Sequence, residues 1–173
     1  REHGVTTAAY CGISIGGMTG LWLAANAPER ISSLVVCCAA ITPMPSRQSW
    51  LDRAALVRSG GMAAISEMVP PRWFTPDFIA RQPAAVAFVV DMLLGTDPAG
   101  YAGCAAAIAA MDLRPALGAI KAPTLVIWGE RDRYLNEDLA EPEHDDVPNL
   151  DRVERLPDAS HWVHHDEAER VNQ

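Results

Sequence analysis

The stretch Gly12-Ile13-Ser14-Ile15-Gly16-Gly17 fits the pattern G-x-S-x-G. Thr6-Thr7-Ala8-Ala9-Tyr10-Cys11 precedes it and reads as a short strand; Met18 to Asn26, with Leu21, Trp22, Leu23, Ala24 and Ala25, reads as a buried helix. Strand, tight turn and helix make up the setting that turns this loose pattern into a nucleophile elbow. Such a turn is strained and needs small residues beside the serine. A side chain at Gly12 or Gly16 is therefore expected to strike neighbouring backbone. The Ser14 hydroxyl is then held at the C-terminal edge of a sheet, where N–H groups opening the next helix can face an anion. A plain glycine turn between strand and helix is the competing reading.

Working outward, Pro28 disfavours a helical residue before it and ends the helix near Asn26. Ile31 to Cys38 is a near-continuous apolar run, which suits a parallel strand covered on both faces. From about Thr42 to Pro115 the texture changes to short amphipathic helices: Trp50–Ser59, Gly61–Met68, Pro76–Arg81, Ala84–Leu94 and Tyr101–Met111. No strand pattern interrupts them, so they read as a helical cap inserted between two strands. Ala105-Ala106-Ala107 and Ala109-Ala110 suggest closely packed helices. Thr124-Leu125-Val126-Ile127-Trp128 restores the strand pattern, and Gly129-Glu130-Arg131-Asp132 is the loop at its C-terminal end. The acidic stretch Glu137 to Asn149 reads as helix and loop, Arg152 to Leu156 as an edge strand, and a last helix is expected from about Asp166. The reading is an α/β fold: core over 1–42, helical cap over 43–115 and core again over 116–173.

The net charge of −8 argues against nucleic acid or an anionic membrane as partner. That charge is uneven. Fourteen acidic residues stand against five arginines from Gly129 to Gln173, whereas Arg47, Arg53, Arg58, Arg72 and Arg81 outnumber Asp52, Glu67 and Asp77 between them. The basic segment could hold a small anion. No apolar run is long enough to cross a membrane as a helix. Cys11, Cys37, Cys38 and Cys104 lack C-x-x-C spacing and are expected to be reduced thiols, buried where they lie in apolar strands, which favours the cytoplasm. A homo-oligomer is compatible with the sequence.

A serine needs a base within hydrogen-bond reach, and the base needs an orienting carboxylate. Asp132 follows one apolar strand and His161 follows the next, both at the edge expected to carry Ser14. The chain order serine, acid, histidine is the one that goes with this elbow. Glu130 and Asp112 compete for the acid role, and Asp112 comes too early, at the cap exit. His164 and His165 compete for the base role but are expected at the start of the last helix as an exposed, solvated pair; His3 and His144 sit in polar surroundings. No acidic residue follows the second strand near Ala39-Ala40. One oxyanion donor is expected from the Ile15 N–H, and the second from a loop between an earlier strand and helix, outside this chain. No metal-binding pattern such as H-E-x-x-H is present, so neither metal nor cofactor is expected.

Gly12 to Met18, Trp22-Leu23-Ala24-Ala25 and Pro28-Glu29-Arg30-Ile31 resemble the elbow and helix of the 3-oxoadipate enol-lactonases, α/β-hydrolases of aromatic catabolism. The cap resembles that family more specifically, in Gly61-Met62, Arg72-Trp73-Phe74-Thr75, Met92-Leu93, Thr96-Asp97-Pro98, Gly100-Tyr101, Cys104 to Ile108 and Asp112-Leu113-Arg114. Beyond Trp128 the chain looks more like epoxide hydrolase-like members, whose nucleophile is an aspartate; Ser14 stands in that place here. The resemblance implies a serine hydrolase opening a lactone that carries a free carboxylate. Arg53 and Arg72 are then candidates to hold that carboxylate, with Trp50 and Trp73 as pocket walls; ordinary solvated arginines and packing tryptophans are the competing reading. A broad carboxylesterase with the same triad is the runner-up. In this family the elbow strand is preceded by others. The strand Thr6–Cys11 is therefore expected to present an apolar edge, and a truncated, non-catalytic module binding through that edge is the third reading.

Overall fold

A computed structural model describes residues 4–134 and 146–172. Four parallel strands form one sheet in the order β1-β2-β3-β4. They are β1 (Ala8–Ile13), β2 (Ile31–Cys37), β3 (Thr124–Gly129) and β4 (Leu150–Leu156). The inner strands β2 and β3 carry the buried side chains Leu34, Val36, Val126 and Ile127, as the apolar runs require of strands covered on both faces. β1 lies at an edge, with Ala8, Ala9 and Cys11 exposed. Cys11 is thus not the buried thiol expected of it, and Cys104 is exposed too; Cys37 and Cys38 are buried. All four are free.

Helix α1 (Ile15–Asn26) packs on the sheet through Met18, Leu21 and Ala24. Between β2 and β3 run α2 (Arg47–Gly60), α3 (Pro70–Trp73), α4 (Pro76–Arg81), α5 (Pro83–Leu94), α6 (Pro98–Ala110) and α7 (Arg114–Leu117). Several cap helices start earlier than their apolar pattern suggests, because each opens on a proline. Proline suits the first helical turn, where its missing N–H costs nothing. Pro70, Pro83 and Pro98 account for α3, which the pattern misses, and for the early starts of α5 and α6. Side-chain caps add to this: Ser46 accepts from the Ser49 N–H at 3.1 Å, Thr75 from Phe78 at 3.2 Å and Asp97 from Gly100 at 2.7 Å. The stretch expected as a helix over Gly61–Met68 is only a 3₁₀ turn at Met62–Ile65, entered through Gly61 at φ 67°. α2 and α6 meet over Ala54, Ala102 and Ala105, all essentially buried, so small side chains set a close crossing.

After β4 come two short helices, α8 (Val163–Asp166) and α9 (Ala168–Val171), where one was expected from Asp166. The acidic stretch over 137–145, and with it His144, lies outside the described residues, as does His3. Among the described residues no helix is long and apolar enough to cross a membrane.

Candidate active site

β1 runs into the turn at Ser14, whose backbone takes φ 52° and ψ −123°. A non-glycine residue held in the left-handed region is strained, and surrounding contacts have to impose it. Three do so. The Ser14 N–H donates to the Cys37 carbonyl at 2.9 Å, the Ser14 carbonyl accepts from the Met18 N–H at 2.9 Å, and the Tyr10 hydroxyl donates to the Gly16 carbonyl at 3.0 Å. The glycine requirement is real but falls partly on a different residue. A Cβ on Gly12 would come within 2.4 Å of the Gly16 backbone, and one on Gly17 within 2.7 Å of the Ala39 side chain. A Cβ on Gly16 would meet open space, so the expectation of a clash there is wrong. Gly16 already lies on the outward side of α1, whereas Gly17 faces the end of β2. Ile15 is the first residue of α1, so its N–H has no partner within the helix.

The loops after β3 and β4 are bound to each other. Glu130 N–H donates to the Leu156 carbonyl at 3.0 Å and Arg131 N–H to the Ala159 carbonyl at 3.0 Å. This brings Asp132 and His161 together: Asp132 Oδ2 lies 2.7 Å from His161 Nδ1, and Asp132 Oδ1 accepts from the Tyr134 N–H at 2.8 Å. Asp132 is fully buried and His161 nearly so. A buried carboxylate with both oxygens engaged holds the imidazole's orientation and leaves Nε2 as the ring's free nitrogen. The competing residues lie elsewhere. Asp112 is exposed in an ion pair with Arg114 at 2.7 Å, and Glu130 is exposed. His164 is exposed, but His165 is half-buried, edge-on to Phe74 and Phe78, so the pair is less solvated than expected.

Cys38 was not singled out from the sequence as part of the site. It follows β2 in a left-handed conformation (φ 44°), and its thiol lies 3.8 Å from the Ser160 carbonyl. Burial and the neighbouring Asp132 carboxylate push this thiol well above its ordinary pKa. Ligand atoms of Cys38, Asp132 and His161 lie within 4.8 Å of one another, but Nδ1 and Oδ2 are already bonded to each other.

Ser14, Ile15 and His161 open onto one cavity of about 420 Å³ between sheet edge and cap. The cap supplies Trp50, Arg53 and Trp73 to its wall. The Arg53 guanidinium lies over the Trp50 ring at 4.8 Å and bonds the Tyr134 hydroxyl at 3.0 Å. Trp50 donates its indole N–H to the Met44 carbonyl at 2.6 Å, and Trp73 stacks on Trp162 at 5.0 Å. The Trp162 N–H in turn donates to the Trp73 carbonyl at 3.0 Å, tying the residue after His161 to the cap. Arg72 does not reach this cavity. It lines a neighbouring, outer one and touches the Met68 sulfur at 3.7 Å. Tyr101, Tyr134 and Trp162 complete the inner wall. Tyr134 and Trp162 stand two and one residues after the candidate acid and base, and that adjacency is the signal that could have found them.

A family model for the alpha/beta hydrolase fold matches residues 1–168. The chain belongs to the α/β-hydrolase fold family. Within that family it is 41% identical over 128 residues to 3-oxoadipate enol-lactonase 2 of Acinetobacter baylyi, covering 74% of this chain and 48% of that protein. Among solved structures it is similar to the enol-lactonase from Burkholderia xenovorans LB400, with TM-score 0.84 and 35% identity over 96% of this chain and 63% of that one. A thermophilic esterase from Thermogutta terrifontis superposes with TM-score 0.83 at 26% identity, covering 97% of this chain and 62% of the esterase. The chain spans about half the length of the curated enol-lactonases it matches.

Proposed function

We propose that this chain carries the nucleophile, acid, base and cap of a serine hydrolase that opens an enol-lactone, with conversion of 3-oxoadipate enol-lactone to 3-oxoadipate as its reaction. The reading is carried by one cavity lined by Ser14, by His161 with its buried Asp132, and by Arg53. Arg53 forms no ion pair among the described residues, so its charge is left for a ligand.

Ser14 Oγ attacks the lactone carbonyl carbon while its proton passes to His161 Nε2. Asp132 stabilises the imidazolium without taking the proton. The oxyanion rests on the Ile15 N–H. The ring C–O bond then breaks, and the departing enolate takes the proton and becomes a ketone. Water, deprotonated by His161, attacks the acyl carbon and releases the carboxylate and Ser14. Arg53 holds the substrate's other carboxylate in a charge-assisted pair, braced by Trp50 and Tyr134. No step calls for a cofactor or metal.

A broad carboxylesterase is the second reading, favoured by the apolar part of the same wall, which includes Met18, Met44 and Ile108. The deciding assay compares the enol-lactone with p-nitrophenyl acetate, using the native protein and Ser14→Ala. One charge-assisted contact gives the lactone an advantage of about 10- to 100-fold in kcat/KM, and Ser14→Ala loses both activities. A lactone turned over no better than the acetate supports the esterase. Turnover of neither supports the non-catalytic module.

A further inference from the structure

The outer cavity, about 700 Å³, lies on the far side of the wall formed by Trp50, Arg53 and Tyr134. Those three residues face both cavities. Arg72 and Arg133 join Arg53 on its lining, in a chain whose net charge is −8. Among the described residues none of these three arginines forms an ion pair; Arg53 bonds the Tyr134 phenol, and Arg72 bonds the Met68 sulfur. Among the described residues the one carboxylate on the lining is Asp52, which is exposed and accepts from the Gln48 amide at 2.8 Å. Pro45, Leu56 and Met68 give the wall an apolar part, beside the Ser49 hydroxyl. Three guanidiniums around one cavity repel each other, and an anion relieves that repulsion; the apolar wall suits a short hydrocarbon chain behind the anionic head.

We propose that the outer cavity is a separate binding seat for small aliphatic carboxylates, in which Arg72 and Arg133 hold the anionic head and Arg53 faces it from the shared wall. The seat does not depend on the chemistry of Ser14.

Isothermal titration with adipate, and with adipamide as its neutral counterpart, tests this without any turnover. Adipate is expected to bind and adipamide not to. Arg72→Gln and Arg133→Gln should each weaken adipate by about 10-fold or more, as loss of one charge-assisted contact predicts. Asp52→Asn should tighten it, a gain that misfolding cannot imitate. Added salt should weaken it. If adipate binds Arg72→Gln, Arg133→Gln and Asp52→Asn as tightly as the native protein and is lost only in Arg53→Gln, the anion sits in the inner cavity alone and the proposal is overturned. Equal binding of adipamide would overturn it as well.

Discussion

At the sheet edge, Ser14 is held by a strained backbone and by main-chain hydrogen bonds to Cys37 and Met18, and His161 by a fully buried carboxylate. Across the cavity, Arg53 is held by stacking on Trp50 and by the Tyr134 hydroxyl, on helices that meet through alanines. The first wall is built from the β-strands that define the fold, so its geometry follows the backbone. The second is built from side chains on helices inserted between two strands, and side chains can be exchanged there without moving the sheet. The difference implies a division of labour: changes at the edge should act on kcat or on folding, and changes in the cap on KM.

The largest effect should come from the edge. In the active enzyme, Ser14→Ala and His161→Ala are each expected to lower kcat by about 10⁴-fold or more, and the double variant little further, because these groups act as a unit. Losses that multiply in the double variant would dissolve that unit. In the cap, Arg53→Met should raise KM for an anionic lactone by about 10- to 100-fold while leaving a neutral ester almost unaffected, as loss of one charge-assisted contact predicts. Arg72→Ala should have a smaller effect, since Arg72 lines only the outer cavity. A larger effect at Arg72 than at Arg53 would reverse the assignment. Steady-state kinetics on paired charged and neutral substrates reads both.

Folding separates the glycines of the elbow. Gly12→Ala and Gly17→Ala push a methyl group into the Gly16 backbone and the Ala39 side chain and should each cost about 1–3 kcal/mol in urea unfolding. Gly16→Ala has room and removes a helical glycine, so it should be neutral or stabilising by up to about 1 kcal/mol. Equal losses at all three positions would show that the elbow needs flexibility more than space.

The smallest effect concerns the joint between the two regions. Asp166 accepts from the Ser160 N–H at 2.7 Å, beside His161. Burial raises its carboxyl from 3.8 to about 6, against the lowering pull of the Ser160 and Thr75 N–H groups. Its Oδ1 is buried, and among the described residues no donor reaches it with full hydrogen-bond geometry, so the Thr75 N–H offsets the burial only weakly. A carboxyl with a raised pKa binds its proton more tightly in the native state than in the unfolded one. Stability should therefore be unaffected by this group below about pH 4, fall as pH rises from there to about 6, and carry the full penalty above that. Asp166→Asn should flatten that part of the curve, as thermal melts across the range would reveal. An unchanged slope would assign the pH dependence to other groups.

Much of this was legible in the residues. Glycine, serine and apolar periodicity are local signals, so the elbow, the strands after it and the helical character of the cap can be read without a structure. The order of Ser14, Asp132 and His161 along the chain fits a known elbow, and their places at strand ends follow from the apolar runs before them. Helix starts were misjudged wherever a proline or a cap residue, and not hydrophobic periodicity, set the boundary. Gly16 and Gly17 look equivalent in sequence and differ only in which way they face on α1.

By itself, then, the sequence determined the parallel α/β core, the inserted helices and the three residues most suited to nucleophilic chemistry, because strand and turn preferences act over a few neighbours. Only the tertiary structure decided that Asp132 and His161 meet at 2.7 Å, that Cys38 lies beside them, and that Arg53 rather than Arg72 faces the cavity lined by Ser14. Those outcomes depend on how loops far apart in the chain bond to each other and on how α2 and α6 cross. Such long-range contacts leave no periodic mark on either segment alone.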